Sequence, residues 1–120
     1  MINKVFSNEV EFKAKNIEII DDGNLTVAND AIAFIKEDNI TIVDIRDENS
    51  FSQSHIPKAI HLSNNNIDGF IEDSQREDNI LIYCYKGISS QSAAQHFCNL
   101  GYKNIYSLEG GYAEYSKKNI

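Results

Sequence analysis

The apolar run Ile80-Leu81-Ile82-Tyr83, which ends in Cys84, constrains this chain more than any other segment. It is short, rich in β-branched and aromatic residues, and free of polar alternation. That pattern suits a strand covered on both faces, as in a parallel sheet held between helices. After Cys84 comes the tight stretch Tyr85-Lys86-Gly87-Ile88, then Ser89-Ser90, two hydroxyls suited to capping a helix. The mouth of such a sheet, facing a helix N-terminus, is where open α/β folds bind anions. A thiol placed there is biased toward its thiolate, the nucleophilic form.

The flanking sequence repeats the strand–helix alternation. Ile40-Thr41-Ile42-Val43-Asp44-Ile45 reads as a strand, and Asp47 to Ser54 as a short polar helix anchored by Phe51. Pro57 ends regularity, and Ile60 and Leu62 flank His61 in a brief extended piece. A helix near Asn65–Glu72 carries Ile67, Phe70 and Ile71 on one side. After Cys84, Ala93, Ala94, Phe97 and Cys98 form a helical stripe that Gly101 ends, Asn104 to Leu108 reads as a strand, and Gly110-Gly111 leads into a last helix. Upstream, Thr26 can cap a helix to about Lys36 with Ala28, Ala31, Ile32 and Ile35 on one face. Residues 1–24 are less legible: Val10, Phe12 and Ala14 alternate, as do Ile17 and Ile19, which allows one or two short strands. Short alternating elements of this kind imply βαβ units, a mostly parallel sheet and helices on both faces.

Composition narrows the function. With 120 residues the chain suits one compact domain. Its formal charge of −7 disfavours general binding to nucleic acid or an anionic membrane, although it permits a local positive pocket. No apolar run approaches the length of a transmembrane helix. Met1 to Glu9 lacks the apolar core of a secretory signal, and two cysteines without Cys-x-x-Cys spacing suit a reduced, cytoplasmic setting.

At neutral pH a free thiol is only a few per cent ionised. Lowering its pKa by two units requires roughly 2.7 kcal/mol of preference for the anion. Inward-pointing loop amides, the positive end of the following helix and the charge of Lys86 can each contribute. An exposed lysine alone adds little. Gly87 permits the turn that aims the amides. A persulfide would be held by the same groups, because its outer sulfur is also an anion; neither a metal nor an organic cofactor is required. The bland alternative is a cysteine that merely packs at the end of a buried strand.

Cys84-Tyr85-Lys86-Gly87-Ile88-Ser89-Ser90 resembles the active-site loop of rhodanese domains, especially the single-domain bacterial thiosulfate sulfurtransferases. Ile42-Val43-Asp44-Ile45-Arg46-Asp47 is similar to the strand-ending Asp-x-Arg segment of that family. The stretch from Phe51 through His55-Ile56-Pro57-Lys58-Ala59-Ile60 resembles its Gly-His-Ile-Pro-Gly-Ala stretch, and Leu108-Glu109-Gly110-Gly111-Tyr112-Ala113-Glu114-Tyr115 its C-terminal Gly-Gly segment. Ser54 and Lys58 stand where the family usually has glycine, and Tyr115 where tryptophan is common. These departures bear on packing more than on chemistry.

The resemblance implies a three-layer α/β fold with a mostly parallel central sheet of about five strands. It places the domain at residues 25–120, with residues 1–24 an extension. It further implies a ping-pong exchange in which Cys84 takes the outer sulfur of thiosulfate, or of another sulfane-sulfur donor, and passes it to cyanide, a thiol or a protein acceptor. Lys86 would attract the anionic donor. The amides from Tyr85 through Gly87 and Ile88 to Ser89 and Ser90, with the serine hydroxyls, would hold its oxygens and the persulfide.

Two other readings stay open: a non-catalytic rhodanese-like binding or regulatory module, and an oxyanion enzyme of the phosphatase or arsenate reductase kind. Modules of the first kind commonly lack the cysteine or the cation, and both are present. Enzymes of the second kind use Cys-x5-Arg, whose arginine clamps an oxyanion; here that position is Ser90. Asp44 and Arg46 are read as an ion pair bracing the strand end, with Arg46 still able to face the pocket. His55 suits structural hydrogen bonds, His61 and His96 lack metal-ligand spacing, and Cys98 reads as a core thiol rather than a resolving cysteine.

Overall fold

The computed structural model describes residues 39–118. The expected helix from Thr26 to Lys36 and the alternating segments before it lie outside the described residues. Four strands occur within them: β1 (Ile40–Asp44), β2 (Ile60–His61), β3 (Asn79–Tyr83) and β4 (Asn104–Ser107). Four helices alternate with these: α1 (Glu48–Gln53), α2 (Ile67–Asp73), α3 (Ser89–Asn99) and α4 (Gly111–Lys118). All strand pairs are parallel, in the order β2-β1-β3-β4. The described sheet thus has one strand fewer than expected, and β4 stops at Ser107, one residue short of Leu108.

β3 explains why this segment carried so strong a signal. It lies between β1 and β4, with Val43 opposite Ile82 and Ile80 opposite Ile105. Ile80 and Ile82 point to one face, where they join Val43, Leu62, Ile105 and the α3 residues Ala94, Phe97 and Cys98. Ile67, Phe70 and Ile71 of α2 pack against that cluster. Leu81 and Tyr83 point the other way, joining Ile42, Ile56, Tyr106, Leu108 and Tyr115 of α4. A strand with no solvent face keeps no polar alternation, because either side would bury an unpaired group.

From β1 the chain steps to β2 on one side, and β3 lies on the other. The carboxyl ends of β1 and β3 therefore meet where strand order reverses, the place at which parallel sheets open a crevice for ligands. A hydrogen bond from the Ile45 amide to the Tyr83 carbonyl (3.0 Å) ties these ends together, and Cys84 follows at once. Lys58, in the position where the family usually has glycine, takes a left-handed φ of 73°.

Candidate active site

Cys84 leaves β3 with its side chain turned back into the loop, and the residue is 6% exposed. Its Sγ accepts hydrogen bonds from the amides of Gly87 (3.1 Å) and Ser90 (3.3 Å). Ser90 Oγ lies 3.5 Å from the sulfur. The serines were expected to cap α3, but Ile88 holds the cap position and no side chain makes the cap hydrogen bond. The sulfur itself accepts one of the amides that a helix start leaves unpartnered. Local geometry explains the exchange: Gly87, at φ +87°, turns the chain so that its own amide and the first turn of α3 converge on one atom.

Burial alone would push the Cys84 thiol up. The hydroxyls of Ser89 and Ser90, followed by the amides of Ser90 and Gly87, outweigh it and hold the thiol below its ordinary value. Cys98 shows the contrast. It lies 2% exposed in the α3 core stripe, and burial raises its thiol to about 11. One fold thus contains a thiol held below its ordinary value and another raised above it, separated by hydrogen bonding and not by depth.

The other predicted residues divide around this centre. Gly87 and Ser90 are buried beside the sulfur, whereas Tyr85, Lys86, Ile88 and Ser89 are exposed and form the outer rim. The carbonyls of Cys84 and Tyr85 accept the amides of Tyr112 and Ala113, both at 2.9 Å, so the first turn of α4 clamps the loop from behind. Arg46 and Asp44 pair with each other: Arg46 Nε reaches both carboxylate oxygens at 3.1 Å and Nη2 reaches Oδ2 at 2.8 Å. Arg46 also donates to the Ser54 carbonyl (2.7 Å) and lies 4.2 Å from the Tyr112 ring centre. Its contacts brace the surrounding elements. His55 donates to the Phe51 carbonyl and His61 to the Arg46 carbonyl, with both rings stacked on Phe51.

Ser107 escaped the sequence reading. Its hydroxyl lies 2.7 Å from Ser90 Oγ, behind the sulfur. The available signal was a polar residue at the carboxyl end of a strand, directly after the apolar pair Ile105 and Tyr106. Among the described residues, no three histidine, cysteine or acidic side chains gather as metal ligands do. Nor is any helix there long and apolar enough to cross a membrane.

A thiosulfate sulfurtransferase GlpE of Coxiella burnetii is 43% identical over 83 residues, covering 69% of this chain and 78% of its own. A crystallised rhodanese-related protein of Thermoplasma volcanium superposes with a TM-score of 0.64 at 22% identity, over 76% of this chain and 88% of that one, a likeness of fold. A Rhodopseudomonas palustris protein of unknown function, described as a possible tyrosine phosphatase, gives a TM-score of 0.66 at 26% identity, over 77% of this chain and 78% of its own. The rhodanese-like domain model matches residues 27–118, which include every described strand, the cysteine loop and its clamp, and the chain belongs to that family.

Proposed function

We propose that the protein is a thiosulfate sulfurtransferase that carries sulfane sulfur on Cys84. The observation that supports this most directly is the convergence of the Gly87 and Ser90 amides on a buried sulfur. Amide dipoles fixed in that way favour an anion without help from a metal. The Cys84 thiolate attacks the outer sulfur of thiosulfate. A new S–S bond forms as the bond to the sulfite sulfur breaks, and sulfite leaves with that electron pair. The persulfide then gives its outer sulfur to a thiophile, cyanide or a thiol, and the bonding pair returns to Cys84. Lys86, on the exposed rim, attracts the doubly charged donor. Protein thiols are further acceptors.

The 43% identity to a protein named for this activity favours the same reading. Ser90 argues against an oxyanion enzyme. The place where an arginine would clamp a phosphate holds a buried, neutral hydroxyl turned toward the sulfur. A non-catalytic module is disfavoured because both the cysteine and the loop cation are present. The domain spans residues 25–120, residues 1–24 form an extension, and two free thiols suit the reducing cytoplasm.

Mass spectrometry after treatment with thiosulfate tests the assignment. The expected product gains one sulfur atom on the peptide containing Cys84, loses it on addition of cyanide, and is absent from Cys84→Ser. No gain, or a gain located on Cys98, overturns it.

A further inference from the structure

Ser107 is 3% exposed and Ser90 0%, and their hydroxyl oxygens are 2.7 Å apart. With Cys84 Sγ 3.5 Å beyond Ser90 Oγ, the three groups form a chain shut away from water. Each hydroxyl has one proton to give and lone pairs to receive. While Cys84 is a thiol, its S–H can donate to Ser90, which donates onward to Ser107. An ionised sulfur has no proton to offer, so the chain has to run the other way. Ser107 then donates to Ser90, and the single Ser90 proton is turned to the sulfur. Bonds to an anion are about twice as strong as neutral ones and polarise their neighbours. Losing Ser107 therefore costs the thiolate more than the thiol.

We propose that Ser107 is a positioning residue: its hydroxyl, donating to Ser90 Oγ, turns the Ser90 proton toward Cys84 Sγ when the sulfur is an anion. The inference rests on Cys84 acting as the nucleophile and adds a residue outside the loop that sets how readily it does so. Ionisation breaks only the S–H bond. The electron pair stays on sulfur, the proton passes to solvent water, and nothing is oxidised.

Other charged and titratable groups on the surrounding elements are placed differently. Tyr85 and Lys86 are exposed on the loop, Arg46 is paired with Asp44, Glu109 precedes α4, and Glu114 pairs with Lys117. The first two turns of α3, Ser89 to Gln95, carry no charged residue. The hydroxyl chain is therefore a local, uncharged control on the sulfur.

The test is the pH dependence of Cys84 alkylation by iodoacetamide, followed by mass on the peptide that contains it. This reads ionisation and not sulfur transfer, so a failure of the proposed activity and a failure of the hydroxyl chain give separate results. Ser107→Ala is expected to raise the midpoint by about half to one pH unit, slowing alkylation below the midpoint about three- to ten-fold. Ser107→Thr keeps the hydroxyl and restores the wild-type midpoint. Ser90→Ala shifts the midpoint further, and adding Ser107→Ala to it shifts nothing more, because the link is already cut. Should Ser107→Ala not fold, Ser107→Cys supplies a weaker donor of similar size and an intermediate shift is expected. An unmoved midpoint in both Ser107→Ala and Ser107→Cys, a threonine variant displaced as far as alanine, or additive effects at positions 90 and 107 each overturn the proposal.

Discussion

The Tyr112 amide donates to the Cys84 carbonyl at 2.9 Å, so the start of α4 holds the peptide unit that carries the sulfur. Two functions meet in that contact. It satisfies an amide that a helix start leaves open, and it stops the cysteine loop from shifting relative to the sheet. The same turn repeats the device one residue on, from the Ala113 amide to the Tyr85 carbonyl.

Gly111 makes the approach possible. A Cβ there would stand 2.5 Å from the Tyr85 carbonyl oxygen and 2.6 Å from that of Cys84, at a left-handed φ of +61°. Both obstacles are backbone, so neither can swing aside. Gly111→Ala is expected to cost about 1–3 kcal/mol of stability from backbone strain alone. Sulfur transfer should fall even at temperatures where the variant stays folded, because the loop amides are displaced from the sulfur. Thermal melts paired with steady-state rates check this, and a variant with unchanged melting and rate would contradict the clamp.

Arg46 and Asp44 form a pair whose side chains are 7% and 0% exposed. Removing one partner from such a pair strands a buried charge, so Arg46→Ala is expected to lose about 3–5 kcal/mol. Arg46→Lys keeps the charge but not the fork that meets Asp44 and the Ser54 carbonyl together, and its loss should be smaller. Urea unfolding midpoints at constant slope measure both. An alanine variant as stable as wild type would remove the pair from the structural account.

Lys86 stands on the exposed rim of the loop. In the proposed role, its attraction for thiosulfate would act through solvent and be screened by salt. Lys86→Ala should lower kcat/KM for thiosulfate by about two- to five-fold at low ionic strength, with the difference closing as salt rises. Equal rates for the two proteins at every salt concentration would exclude a steering role.

The two thiols predict opposite slopes of stability with pH. Cys98 ionises at its ordinary value in the unfolded chain but only at about 11 in the folded one. Its contribution is complete below the ordinary thiol range and is lost as pH rises toward 11, up to roughly 2–3 kcal/mol. Cys84, held below its ordinary value, contributes above that range and loses its contribution as pH falls through the folded value. Chemical unfolding from pH 8 to 11 should therefore be flatter in Cys98→Ala than in wild type, although the variant starts from a lower stability. Parallel curves would show that Cys98 does not resist ionisation. Tyr83, raised by burial and by its bond to Asp44, adds an alkaline loss common to both proteins.

Much of this molecule was readable because its signals are local. β3 declared itself through four consecutive apolar residues, and α3 through the spacing of Ala94, Phe97 and Cys98. Asp47 was legible at the head of α1, where its carboxylate accepts the Ser50 amide at 3.1 Å. The two adjacent serines were not separable. Both can cap a helix, yet Ser90 is buried against the sulfur and Ser89 is exposed. That division depends on the path of the backbone after Gly87, which residue type alone does not encode.

By itself, the order of amino acids determined that a thiol would end a buried strand, that a short glycine-bearing turn would follow, and that no arginine would stand at position 90. Each is a property of neighbours along the chain. The tertiary structure alone decided that Ser107 would stand behind Ser90, 17 positions away, and that Gly111 would press against the carbonyl of Cys84. These contacts exist because parallel pairing sets β4 beside β3 and returns α4 to the cysteine loop. Strand order and register are settled by the packing of both sheet faces at once, and no single segment carries that information.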